Sequence, residues 1–341
     1  MQGELIEAAT LARFRAGCEA LTGITPAAER PLGVAVSGGG DSLALLLLAQ
    51  AAYPGCVRAA TVDHSLRAEA AAEAANVAAI CASMGVPHAT LCAGPAQRGV
   101  AGNLQQRARL ARYRLLGAWA AEQDIGWIAL AHQRDDVAES FLMRAARGAG
   151  VKGLAAMQAV RPNEAPGFRT VIVRPVLNWA RAELAAIVAA AGLTPVEDPT
   201  NADARFDRAR MRALLAGHSD LPADRLARAA TNLRDAEDAL DWVVAREAPA
   251  RLEVAGSELW LRVEGLPFEL KRRLVVLAIG KVRARHALPD QWRDTAVPDL
   301  VHALEQDRAG TLADVQARVL GDRWQFRLAP PRRTSGATGA Q

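Results

Sequence analysis

Lysine is nearly missing from this chain. Of its 41 basic residues only three are lysine, Lys152, Lys271 and Lys281. The positive charge rests on arginine, whose planar fork suits phosphate groups and stacked bases. Arg- and Ala-rich solvated helix faces give the same bias, and composition leaves both readings open. Cysteine is scarce too. Cys18, Cys56, Cys81 and Cys92 form no C-x-x-C and have no histidine at metal-ligand spacing, so disulfide frameworks, zinc sites and iron–sulfur clusters lack support and free thiols are expected. No apolar run reaches the length of a membrane span, the Leu43–Ala52 stretch being too short. The opening MQGELIEAATLARF is acidic and amphipathic, unlike a signal or transit peptide. These absences predict a cytoplasmic chain with no membrane partner. No internal repeat is visible.

What is present is ample apolar material, 51% of 341 residues, and a mild net charge of +4. That length and composition predict two domains, or three, with a sizeable core. The most informative stretch is LGVAVSGGGDSLALLLLAQAAY, residues 32–53. An apolar run stops at Ser37-Gly38-Gly39-Gly40-Asp41-Ser42, and a Leu/Ala-rich helical run follows at once. Three glycines let the backbone curl and aim its N–H groups at one point. A helix start behind them adds free N–H groups and the positive end of its dipole. This is a phosphate cradle. It lacks the Gly-Lys-Ser/Thr of a Walker A loop and the G-x-G-x-x-G of a dinucleotide loop. A Gly-rich turn with Asp41 or Ser42 as an ordinary helix cap is the simpler alternative.

Strand-like runs recur at 32–36, 57–63, 89–92, 127–131 and 170–173, with helical runs at 42–52, 66–84, 103–124, 134–147 and 179–191. The alternation predicts an α/β fold with a doubly wound, mostly parallel sheet. A smaller, mainly helical C-terminal domain with short strands is expected after the 216–225 boundary. Its parts are a long amphipathic segment at 223–247, a hairpin at 251–263, a helix at 268–283 and a mixed piece at 292–328. Ligands of such sheets bind beyond the strands' carboxyl ends, which points to Ser37–Ser42, Asp63-His64, Ala131–Asp136 and Arg174.

Several groups fall at or near those ends. Asp63 and His64 flank an adenosine, or Asp63 or Ser65 caps the 66–84 helix. Arg109 and Arg112 share a side of the 103–124 helix, which Asn103 would open. His132 sits where it can contact phosphate or donate a proton. Asp136 and Glu139, spaced i and i+3, share a helix face, and with Asp41 their oxygens suit Mg²⁺ beside phosphates. Arg144–Leu154 places Arg147, Gly148, Gly150 and Lys152 in a basic, glycine-rich turn. Arg205, Arg208 and Arg212 form a stripe after Glu197-Asp198-Pro199-Thr200-Asn201, a candidate RNA-backbone contact.

Taken in order, SGGGDS, DHSLR, NLQQRARLARYRLL, AHQRDDVAESFLMRAARGAGVKGLAAM, RPVL and EDPTNADARFDRARMR resemble the PP-loop ATP pyrophosphatases, and within them the tRNA(Ile)-lysidine synthase family. The match spans residues 32–215. SGGGDS marks the wider group, and the AH…DD and EDPTN segments discriminate. The resemblance implies a PP-loop catalytic domain at 1–217, a tRNA-binding helical or α+β domain at 222–330 and a disordered tail at 331–341. It implies a ligase that binds ATP and Mg²⁺, adenylates O2 of the wobble cytidine in the CAU-anticodon isoleucine tRNA, and lets free L-lysine displace AMP to form lysidine. By resemblance, Ser37, Gly38, Gly39, Gly40, Asp41, Ser42, Asp63, His64, Arg112 and His132 bind ATP. Asp41, Asp136 and Glu139 act at the metal and, with His132, at the reacting centre. Arg147, Gly148, Gly150, Lys152, Asp198, Asn201, Arg205, Arg208 and Arg212 form the lysine and tRNA pocket. Two departures stand out: the family's AHH reads AHQ at Gln133, and Ala209 replaces an asparagine.

Other readings are a tRNA thiolase, an amide ligase of the same group, or a non-catalytic nucleotide- or RNA-binding module. A thiolase calls for a reactive cysteine pair or cluster, and an amidotransferase for a glutaminase domain or an N-terminal cysteine. The sequence sets no oligomeric state, and a homodimer stays open.

Overall fold

Leu32, Val34 and Val36 point to one face of a strand, Gly33 and Ala35 to the other, and that alternation orders the catalytic half of the chain. In the computed structural model, which describes residues 6–63, 70–92, 104–196, 207–289 and 292–330, this strand is β1 (Leu32–Ala35). It lies inside a six-stranded sheet of order β3-β2-β1-β4-β6-β5. The partners are β2 (Val57–Asp63), β3 (His88–Cys92), β4 (Trp127–Ala129), β5 (Val160–Pro162) and β6 (Val171–Val173). Leu32 is in register with Val57 on one side and Trp127 on the other. All pairings are parallel except that of β5 with β6, so the doubly wound expectation holds with one antiparallel edge. β5 falls just before and within the 161–169 stretch, which reads as a Pro/Gly loop in sequence.

Helices cover both faces. Leu32, Val34, Val36, Ala59, Ala129 and Val173 pack with α1 (Ala8–Thr22), α2 (Gly40–Ala52), α3 (Ala70–Ser83) and α7 (Arg181–Ala190). Ala60, Ile128 and Ile172, one residue out of phase, pack against Tyr113, Leu116, Trp119 and Ala120 of α4 (Leu104–Glu122). In α2 the side chains of Leu43, Leu45, Leu46 and Leu48 have no exposure at all. Each contributes about 1.5–3 kcal/mol of burial, which anchors the helix whose first turn follows the glycine loop. Beyond β4 come α5 (Arg134–Ala145) and α6 (Val151–Leu154). After β6 and α7 come α8 (Asp207–Gly217) and α9 (Ala223–Arg251). Of the expected 66–84 helix the described residues show Ala70–Ser83, and residues 64–69 lie outside the described set, as does Asn103.

The chain divides into two compact units, Met1–Arg234 and Asp235–Gln341, so α9 supplies residues to both. The second unit builds a five-stranded antiparallel sheet of order β7-β8-β11-β10-β9. Its strands are β7 (Leu252–Ala255), β8 (Glu258–Arg262), β9 (Gly310–Leu312), β10 (Val315–Leu320) and β11 (Arg323–Leu328). Leu259, Leu261, Ala317 and Phe326 pack from it onto α10 (Phe268–Arg285) and α11 (Val297–Glu305). Buried Arg273 of α10 binds Glu237 of α9 through two hydrogen bonds of 2.6 and 3.0 Å, and Asp241 at 2.8 Å. Among the described residues no helix is long and apolar enough to cross a membrane.

Candidate active site

The chain order switches at β1. Strands β2 and β3 extend to one side of it and β4 and β6 to the other, and a crevice opens beyond the carboxyl ends at such a switch. A cavity of about 840 Å³ lies there, lined by Ser37, Gly39, Gly40, Asp41 and Ser42 after β1 and by Ala131, His132 and Asp136 after β4. Its apolar wall includes Val36, Ala60, Val62, Tyr113 and Leu116.

The loop is held by its own serine. Ser42 Oγ donates to the Gly39 carbonyl at 2.8 Å and accepts from the Ser37 amide at 3.1 Å. Gly38 takes φ +87°, and a Cβ there would stand 3.2 Å from Val196. The left-handed backbone and the close neighbour both call for glycine. Gly39 is the residue before the first turn of α2 and provides no side-chain cap; the Ser42 amide donates to the Gly39 carbonyl at 3.0 Å, and the Gly40 and Asp41 amides ahead of it have no acceptor within the helix.

Helix α5 begins with a reciprocal cap. Gln133 Oε1 accepts from the Asp135 amide at 2.6 Å, and Asp136 Oδ2 accepts from the Gln133 amide at 3.1 Å. Gln133 is fully buried. Its Nε2 has no hydrogen-bond partner among the described residues and lies beside Asp41. Burial first, and the neighbouring Asp136 carboxylate second, push Asp41 from 3.8 up to about 6, with Arg181, Gln133 and Arg212 offsetting part of the rise. Burial pushes Asp136 up as well. Two desolvated carboxyls thus line the same cavity, and the charge of Asp136 adds to the rise at Asp41.

Glu139 sits differently. It has no exposure, and Oε1 accepts from Arg181 Nη2 at 2.8 Å and Arg212 Nε at 3.0 Å. Arg208 Nε stands 3.5 Å from Oε2, and Arg181 also reaches Asp136 at 3.6 Å. Glu139 thus joins α5, α7 and α8 through three arginines, all of which line the cavity. No group of three or more acidic, histidine or cysteine ligands that could hold a metal occurs among the described residues. The structure therefore brings Asp41 and Asp136 together, and encloses Glu139 in arginines.

His132 lines the cavity at the end of β4, and its Nδ1 accepts from Arg174 Nε at 3.2 Å. Burial, then the Arg174 cation, push its pKa down to about 3. The ring is neutral at physiological pH. Arg112 lines the cavity from α4, as does Arg109, which grips Glu164 in a bidentate pair of 2.7 and 2.9 Å. Asp63 ends β2 one residue past the lining residue Val62 and is not part of the lining.

The expected lysine and tRNA residues divide. Arg208 and Arg212 line the cavity. Arg147, Gly148, Gly150 and Lys152 are exposed and outside it. Arg147 is paired with Asp207, and Arg144 Nη1 closes the turn by donating to the Gly153 carbonyl at 2.9 Å. His64, Asp198, Asn201 and Arg205 lie outside the described residues. Sequence reasoning missed Arg181. It stands at the start of α7, 42 residues from Glu139, and no local motif marks it.

A glycine loop at the switch point of a 3-2-1-4 sheet, facing paired carboxyls, defines a PP-loop nucleotide-binding domain, and the family model described as a PP-loop domain matches residues 15–218. The fold is similar to that of the U34-tRNA thiolase NcsA from Methanococcus maripaludis, with a TM-score of 0.52 over 66% of this chain and 79% of that one, at 17% identity. Over nearly its whole length the chain is 42% identical to the tRNA(Ile)-lysidine synthase of Zymomonas mobilis, covering 98% of this chain and 99% of that one. It is 41% identical to that of Novosphingobium aromaticivorans, covering 97% of each. The chain belongs to the tRNA(Ile)-lysidine synthase family.

Proposed function

We propose that this chain is an ATP-dependent tRNA-modifying ligase that converts the wobble cytidine of the CAU-anticodon isoleucine tRNA to lysidine. In the first step cytidine O2 attacks the α-phosphorus of ATP. A new O–P bond forms, the bond to the β-phosphate oxygen breaks, and pyrophosphate leaves. In the second step the amine of free L-lysine attacks C2. A C–N bond forms, the C2–O2 bond breaks, AMP departs with that oxygen, and the amine releases its proton.

The carrying observation is the single cavity that joins the Ser37–Ser42 cradle, the Asp41–Asp136 pair and the arginines gathered on Glu139. The cradle amides and the α2 dipole bind the phosphates. Arg112, Arg181, Arg208 and Arg212 offset the charge of the leaving pyrophosphate. Neutral His132 presents a hydrogen bond rather than a proton. Asp41 and Asp136 fit Mg²⁺, which takes one or two protein carboxylates and fills its other positions with phosphate oxygens and water. When bound, Mg²⁺ neutralises charge on the phosphates. The exposed turn holding Arg147, Gly148, Gly150 and Lys152, with the 197–206 segment carrying Asp198, Asn201 and Arg205, would meet the tRNA and lysine. The thiolase alternative lacks support in the cavity, whose lining has no cysteine.

The test combines purified protein, ATP, Mg²⁺, lysine and the CAU-anticodon isoleucine transcript. The expected result is AMP, pyrophosphate and a lysine-sized mass gain on the anticodon cytidine. Sulfur incorporation, or a gain on a small molecule with none on the tRNA, would overturn the reading.

A further inference from the structure

We propose that Arg174 is a positioning residue that fixes His132 as the neutral Nε2–H tautomer, so the histidine offers the bound nucleotide one hydrogen-bond donor of fixed direction. The inference rests on the adenylation-site reading for its consequence, but not for its geometry.

Arg174 follows β6 and is 3% exposed. Its backbone amide donates to the Ala159 carbonyl at 2.9 Å, and Nη1 donates to the Gln158 carbonyl. Those anchors fix the guanidinium and leave Nε aimed at His132 Nδ1, 3.2 Å away. A guanidinium has donors only and does not deprotonate in proteins. Nδ1 must therefore accept, and the ring proton must sit on Nε2. The cations around the ring, Arg174, Arg208, Arg109 and Arg112, all oppose a second proton. His132 lines the same cavity as the β1 loop and Asp136. A donor already turned to the nucleotide needs no reorganisation as charge builds on a phosphate oxygen.

Two measurements decide it. In protein carrying ring-¹⁵N histidine, the His132 resonances, assigned by their loss in His132→Gln, should show a pyridine-like Nδ1 and a pyrrole-like Nε2 at neutral pH. Arg174→Met should average the two nitrogens as the tautomers exchange. It should leave the KM for ATP within about threefold and lower kcat for pyrophosphate release by about 10–100-fold, the range for a residue supporting a reactive group. Arg174→Lys, which keeps a cationic donor, should recover part of kcat. A pyrrole-like Nδ1 or a cationic ring in the unmodified protein overturns the proposal. So does an unchanged spectrum in Arg174→Met, or equal losses in ATP affinity and folding. The spectrum of the unmodified protein decides even where the variant fails to fold. A preserved spectrum without lysidine formation would refute the functional reading alone.

Discussion

Arg212 Nε donates to Glu139 Oε1 at 3.0 Å, and this bond ties α8 to α5 at a carboxylate that no solvent reaches. With Arg181 on the same oxygen, one buried anion keeps several cavity cations in place.

Glu139→Ala should therefore act on folding and on nucleotide affinity together. Its loss leaves three partly exposed, mutually repelling arginines with no shared anion. The expected outcome is a clearly lower Tm and weaker ATP binding, read by scanning calorimetry and titration calorimetry. Unchanged affinity would show that the arginines hold their positions without Glu139.

Asp136→Ala should abolish pyrophosphate release while tRNA binding survives. Filter binding of the isoleucine tRNA against release of labelled pyrophosphate separates the two. Equal loss of both would remove Asp136 from the cation seat.

Asp41 predicts a definite pH response. Its carboxyl binds a proton more tightly folded than unfolded, so its ionisation disfavours the fold. Stability of the ligand-free protein should fall as pH rises from about 4 to about 6 and lose that slope above. Asp41→Asn should flatten this part of the profile. Affinity for Mg²⁺ and ATP should run the other way, weakening as pH drops below about 6, because the protonated carboxyl no longer binds the cation. Urea midpoints and titration calorimetry across that window check both signs.

Gly38→Ala should cost about 1–2 kcal/mol of strain at its left-handed φ and push Val196 away from the loop. Lower ATP affinity with a modest loss of Tm is the expected pair of results. A variant with native affinity would show that the cradle tolerates a Cβ.

In the second unit, Arg273→Leu should strand the buried Glu237 carboxylate. An early calorimetric transition is expected, about 3–5 kcal/mol less stable, and Glu237→Gln in the same chain should recover part of it.

The cradle and the AHQ-x-DD run were legible because each is a local pattern at a strand end, where topology alone places chemistry. The alternating helices and strands likewise announced the parallel sheet. Arg181 was hidden because its partners come from a helix far along the chain, and a lone arginine after Ala180 has no signature. Arg208 and Arg212 could be grouped as a stripe, but only the position of α8 beside α5 shows that their side chains reach Glu139 and the cavity. The order β7-β8-β11-β10-β9 was equally closed to reading, since Leu259 pairs with Phe326 across most of the second unit. β5 was obscured by its own Pro162 and by the Pro and Gly that follow it, and an edge strand tolerates the proline.

Gln133 carries a consequence for acid tolerance. An imidazole at this position could cap the helix through one nitrogen and offer a proton through the other, but it would lose the cap on becoming a cation. The amide of Gln133 keeps the same two faces, an oxygen for the Asp135 amide and an N–H₂ beside Asp41, and it has no proton to gain. The amide itself cannot titrate, so any change of this junction between mild acid and neutral pH falls to Asp41, whose carboxyl is pushed up to about 6.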